Sequence, residues 1–99
     1  MDAELKKLDK ELFELHGELS FETALSLYKM SKRLFNTDAD SVCVDLAEVT
    51  RIDSAGLSVL LEWMRRGQHF QKDIRYKNIP TQVLSLMRIS GLETILPRA

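Results

Sequence analysis

The chain has 99 residues, 44% of them hydrophobic and 29% charged, with 14 basic and 15 acidic side chains for a formal charge of −1. That balance excludes a disordered tail, and it lacks the basic excess by which nucleic-acid binders neutralise phosphates. A single cysteine, Cys43, excludes an internal disulfide framework, and no apolar run reaches the roughly 18 residues that span a bilayer. The length predicts one domain, 1–99. The charged start Met1-Asp2-Ala3-Glu4 has no signal-peptide apolar region, which predicts a cytoplasmic protein that serves any membrane process through a partner.

Along the chain, Leu5, Leu8, Leu12 and Leu15 are spaced as one face of a helix, and the Glu and Lys content agrees. The same stretch also reads as two short strands turning at Asp9-Lys10. Glu11, Phe13 and Leu15 would then face one way, and Leu12, Glu14 and His16 the other. Gly17-Glu18-Leu19-Ser20 reads as a turn into a helix, with Ser20 as N-cap and Thr23 where a capping-box Glu would sit. Ala24, Leu25, Leu27, Tyr28, Leu34 and Phe35 then recur at helical spacing up to Asn36. After a loop at Thr37-Asp38-Ala39-Asp40, Val42-Cys43-Val44-Asp45-Leu46 suits a central strand buried on both faces, with Cys43 as a small buried hydrophobe.

Val49-Thr50-Arg51-Ile52-Asp53 leads to Ser54-Ala55-Gly56-Leu57 and a helix whose predicted core face is Leu57, Leu60, Leu61 and Met64. A second stripe holds Val59, Trp63, Arg66 and Phe70. It makes Trp63 either a core residue at the domain edge or an interface anchor. Asp73 to Ile79 alternates as a strand. Pro80 pre-sets a third helix with Val83, Leu84 and Met87, ending near Gly91, and Ile95-Leu96-Pro97 closes the chain. Strands alternating with helices predict an α/β fold, a mixed sheet with helices packed on it.

Ser54 falls at a helix start, where free N–H groups and the helix dipole favour a hydroxyl acceptor or an anion, so Ser54 or Asp53 is the expected cap. Gly56 would permit close backbone approach there. Arg51 and Asp53 flank the position as solvated charges or as polar partner contacts. His16 and His69 lack metal-ligand spacing, no Gly-rich phosphate loop exists, and Ser54 lacks a Gly-x-Ser-x-Gly elbow. No catalytic residue, cofactor or metal is therefore predicted, and the expectation is a binding module rather than an enzyme.

The run Asp45-Leu46-Ala47-Glu48-Val49-Thr50-Arg51-Ile52-Asp53-Ser54-Ala55-Gly56-Leu57 resembles the STAS-domain pattern. That pattern is a strand ending in Asp-Leu, a short loop with Ile-Asp, then Ser or Thr, a small residue, Gly and Leu opening a helix. Anti-sigma factor antagonists and the cytoplasmic tails of sulfate transporters share it. Leu15-His16-Gly17-Glu18-Leu19, with Leu27-Tyr28-Lys29-Met30, resembles the start of transporter-associated STAS subunits, and Val83-Leu84-Ser85-Leu86-Met87 with Gly91 to Arg98 resembles their end. The resemblance implies a STAS-like fold that opens with a β-hairpin and then alternates α and β.

It also implies a non-enzymatic cytoplasmic subunit of an Mla-type phospholipid ABC transporter, which in Gram-negative bacteria maintains outer-membrane lipid asymmetry. Such a subunit would bind and regulate or stabilise the ATPase subunit, and through it meet the permease and lipid-binding subunits, with no nucleic acid and no insertion into the membrane. Arg51, Asp53, Ser54, Ala55, Gly56 and Trp63 are then the expected partner-binding residues. The alternative is an anti-sigma factor antagonist switched by phosphorylation of Ser54, since the corresponding Ser is the one modified in that branch.

Overall fold

The computed structural model describes residues 3–91. The stretch 92–99, which carries most of the similarity to subunit tails, lies outside the described residues.

The N-terminal segment is a hairpin, as the family resemblance implies, and not the helix that the leucine spacing allows. Strand β1 (Ala3–Lys7) pairs antiparallel with β2 (Leu12–Leu19), with Leu5 opposite Leu15 and Lys7 opposite Phe13. The turn is closed by Leu8 N–H to Leu12 O at 2.9 Å and by Glu11 N–H to Asp9 Oδ1 at 2.7 Å. A helix through Leu5, Leu8, Leu12 and Leu15 would leave Phe13 off its apolar face. The hairpin buries Leu5, Phe13 and Leu15 together and leaves Leu8 half exposed at the turn. Burying the large ring decides between the two periodicities.

Strand β2 is the spine of the sheet. β3 (Ser41–Asp45) runs parallel to its first half, and β4 (Val49–Ile52) runs parallel to its second half. The register shifts between Gly17 and Glu18, and Gly17 sits at φ 99°, a conformation that side chains disfavour. β5 (Asp73–Lys77) pairs parallel with β3, giving the order β1-β2-β3-β5 with β4 beside β2. The segment taken from the family pattern as a loop before Asp53 is therefore largely a strand. It is only half covered, so its burial pattern carried little signal.

Helix α3 (Ser54–His69) packs on β2 and β5, between α1 (Ala24–Met30) and α4 (Thr81–Ile89). The core between sheet and helices includes Phe13, Leu19, Val44, Leu60, Trp63 and Tyr76, all fully buried. The Tyr76 hydroxyl donates to Leu60 O at 2.7 Å, and burial pushes its phenol well above the usual range.

Five expectations need correction. Gly17, Glu18 and Leu19 are not part of the turn into the first helix: they complete strand β2 and pair with β4. The first helix is not continuous to Asn36: the Ser31 hydroxyl donates to Tyr28 O, and a separate short turn, α2 (Lys32–Phe35), follows. Ser20 is not its N-cap. Helix α1 starts later, at Ala24, and Thr23 Oγ1 accepts from Ser20 N–H at 3.0 Å while donating to Glu18 O at 2.8 Å. Strand β3 is buried on one face only: Val42 and Val44 are buried, whereas Cys43 is half-buried and Ser41 exposed. Burial still raises the Cys43 thiol pKa. The core stripe of α3 is Gly56, Leu57, Val59, Leu60, Trp63 and Gly67, while Leu61 and Met64 are half-buried. The stripe is rotated because α3 is wedged between α1 and α4 and packs against both as well as the sheet.

Candidate functional site: the face formed by α1 and the start of α3

The residues singled out around Ser54 have distinct roles. Asp53 is the N-cap of α3: its Oδ1 accepts from Gly56 N–H at 3.0 Å. Its Oδ2 accepts from the N–H of Phe21 at 3.1 Å, so one carboxylate joins the start of α3 to the turn ahead of α1. The Gly56 N–H, aided by those of Phe21 and Ala55 and by nearby Arg51, holds the Asp53 carboxyl below the usual carboxylate range.

Ser54 follows as the first helical residue. It is exposed, and its carbonyl accepts from the Ser58 hydroxyl at 3.1 Å. The capping task belongs to Asp53, which leaves the Ser54 hydroxyl available at the surface. Gly56 is buried against the Leu19 carbonyl of β2.

Arg51 is not simply a solvated charge. Its Nη1 lies 3.1 Å from Glu18 Oε1 and 3.8 Å from Glu22 Oε2. The Glu18 side chain is only 5% exposed, so Arg51 supplies the counter-charge for a carboxylate otherwise cut off from water.

Between α1 and α3 lies an open groove of about 570 Å³, bordered by Ala24, Leu25 and Tyr28 on one side and by Ala55, Ser58, Val59 and Glu62 on the other. Trp63 also lines it, yet its side chain is fully buried. Trp63 is thus a core residue that forms the groove's floor, and it cannot act as a protruding anchor. Leu25 and Tyr28 on the groove's border are 67% and 50% exposed, and Phe21, in the turn ahead of α1, is 79% exposed. Three large apolar side chains at i, i+4 and i+7 along the sequence are thus left to solvent, a stripe of exposed apolar positions that solvent alone does not favour.

The far end of the groove is fixed by Arg66. Its guanidinium lies 5.1 Å from the Tyr28 ring centre and 5.2 Å from that of Phe35, and it donates to Ser31 Oγ at 2.9 Å. The second helical stripe therefore serves mainly to bind α1 and α2 to α3.

The structure brings Ala55 and Trp63 to the groove and Ser54 to the exposed start of α3 beside it. Asp53 and Gly56 sit in the framework that sets the helix start, and Arg51 serves the turn that carries Phe21. Sequence reasoning missed Phe21, Leu25 and Tyr28 as a surface feature, because Leu25 and Tyr28 were merged with the core periodicity of Leu27 and Leu34. The spacing 21, 25, 28 was the available signal.

Of the histidines, His16 Nε2 lies 3.0 Å from Glu14 Oε1 and His69 packs edge-on against Phe70, so each is engaged away from Ser54. Among the described residues no group of three or more His, Cys, Asp or Glu side chains is arranged to hold a metal ion, and no helix is long and apolar enough to cross a membrane. What the site offers is apolar contact area and an exposed hydroxyl, since the helix-start N–H groups of Gly56 and Ala55 are taken by Asp53: means of recognition.

Residues 6–97 match the family model described as Mlab, STAS domain. The Intermembrane phospholipid transport system binding protein MlaB of Haemophilus influenzae is 32% identical over 90 residues, covering 88% of this chain and 86% of that protein. Its counterpart of the same name in Escherichia coli is 27% identical over 85 residues, covering 85% and 84% respectively. The anti-sigma factor antagonist SpoIIAA in its unphosphorylated form superposes with a TM-score of 0.71 at 20% identity, over 99% of this chain and 88% of that one, which shows a shared fold.

Proposed function

The chain belongs to the Mlab-type STAS domain family, and from that premise we propose that it is a non-enzymatic subunit of an intermembrane phospholipid transport system. It docks on the system's ABC-type ATPase through the face formed by α1 and the start of α3. The relatives named for that system support the setting. The observation that carries the docking face is the exposed stripe of Phe21, Leu25 and Tyr28 beside a groove floored by Trp63. Aromatic residues are enriched at protein interfaces, and Phe21 and Tyr28 are of that kind. The protein works at the cytoplasmic side of the inner membrane, held there by the ATPase and through it near the permease and lipid-binding subunits.

The experiment is affinity purification of the tagged chain from detergent-solubilised membranes, followed by mass spectrometry. Recovery of an ABC-type ATPase supports the reading. Recovery of a sigma-factor regulator in its place overturns it.

A second reading, an anti-sigma factor antagonist switched at Ser54, is supported by one observation: the exposed Ser54 at the start of α3. A phosphate there would gain the helix N-terminus, and it would also meet the Asp53 carboxylate next to it. Phosphate incorporation at Ser54 in cells, read by mass spectrometry of the intact chain, would favour this reading over the first.

A further inference from the structure

The Asp53 side chain does more than cap a helix. Its two oxygens accept from backbone N–H groups 35 positions apart in the chain, Gly56 in α3 and Phe21 in the turn before α1. Its own N–H donates to Leu19 O at 3.1 Å, which anchors Asp53 on the end of β2. The turn it grips has independent internal support. Thr23 Oγ1 bonds Ser20 N–H and Glu18 O, and Arg51 reaches Glu18 and Glu22. Losing the Asp53 contact would therefore leave the turn formed but free to shift relative to α3. Phe21, the most exposed member of the apolar stripe, is the residue whose backbone would be released.

We propose that Asp53 is a positioning residue of the docking face: its carboxylate fixes the turn that carries Phe21 at a set distance from Ser54, so that turn and helix meet the partner as one preorganised surface. This rests on the docking reading above, and it adds a residue that acts on the partner only through Phe21. A preformed surface binds more tightly because the turn does not have to be ordered on contact.

The test uses Asp53→Ser. A serine retains a short oxygen acceptor suited to an N-cap, and with one side-chain oxygen where Asp53 has two it lacks the second oxygen that receives the Phe21 N–H. The variant should unfold close to the wild-type midpoint, while hydrogen exchange of the Phe21 amide in the isolated chain rises by about tenfold as its acceptor is lost. Binding to the ATPase should weaken by about tenfold, and in a Phe21→Ala background the same substitution should weaken it by less than about twofold, because coupled residues are non-additive. Equal losses in both backgrounds, or an unchanged Phe21 amide, would overturn the positioning role while leaving the docking face intact. A wild-type chain that does not bind the ATPase would remove the docking reading, and the exchange of the Phe21 amide would then decide the clamp by itself.

Discussion

A β-carbon added to Gly56 would lie 1.9 Å from the carbonyl oxygen of Leu19. The first turn of α3 thus rests directly on the backbone of β2, and the obstacle is main chain, which cannot swing aside as a flexible side chain would. Gly56→Ala should cost at least about 1–3 kcal/mol, the usual range for overpacking, and more if α3 must lift from the sheet. Urea unfolding would read it as a lowered midpoint. A midpoint equal to wild type would mean that α3 does not start where it is placed.

Trp63 and Met64 are neighbours with opposite environments, one fully buried and one half-buried. Trp63→Ala should therefore cost about 3–5 kcal/mol, a large share of a small domain's stability, and the variant should be largely unfolded at moderate temperature. Met64→Ala should fall well below the roughly 2–5 kcal/mol of a buried methionine. Thermal unfolding of the pair gives the answer, and a greater loss at Met64 would restore the helix face expected from spacing alone.

How far the sequence carried this picture depends on what each residue could signal locally. The strand at Val42 to Asp45, the three helices and the Asp53-Ser54-Ala55-Gly56 helix start were legible, because their signals lie in short-range spacing and in one recognisable motif. The hairpin needed the family resemblance, since Leu5, Leu8, Leu12 and Leu15 fit a helix and only the burial of Phe13 decides otherwise. Trp63 was ambiguous because α3 is contacted by two helices and a sheet, which broadens its buried arc beyond one stripe. Strand β4 was missed for the opposite reason: its residues are exposed or half-buried, so it left no apolar pattern. The link from Asp53 to Phe21 was invisible, as it joins residues 32 apart through a backbone N–H that any residue but proline would supply.

The division of labour between Asp53 and Ser54 has its own signature. Asp53→Ala removes the cap and should cost about 0.5–2 kcal/mol, whereas Ser54→Ala, at an exposed helical position outside the cap, should stay within about 0.5 kcal/mol. Because hydrogen bonds hold the Asp53 carboxyl below its ordinary value, the folded state keeps it ionised more readily than the unfolded chain does. Its contribution is therefore fully present above the unfolded carboxylate value of about 3.9, and it is lost as pH falls through the lower folded value. Thermal unfolding of wild type and Asp53→Asn from pH 7 down to pH 2 should show a gap that is constant at neutral pH and narrows only below about pH 4. A gap that widens on acidification would contradict the assignment.

The decisive separation of fold from function lies on α1. Leu25 is 67% exposed and Leu60 fully buried, so the two leucines answer different questions. Leu60→Ala removes core packing and should cost about 2–5 kcal/mol of stability. Leu25→Glu changes a surface position and should shift stability by no more than about 0.5 kcal/mol. If the stripe of Phe21, Leu25 and Tyr28 is the docking face, however, it places a charge where the partner's apolar surface must close. The expected loss is that of a hot-spot residue, about 2 kcal/mol or more, or roughly thirtyfold in Kd. Ser54→Arg tests the other margin of the same face: it puts a positive charge at the positive end of the α3 dipole and a long side chain beside small Ala55, in the exposed first turn. It too should fold and should abolish ATPase binding. Thermal unfolding of each variant beside titration against the ATPase separates the outcomes. Folded Leu25→Glu and Ser54→Arg variants that both bind like wild type would show that the partner uses another surface of the domain.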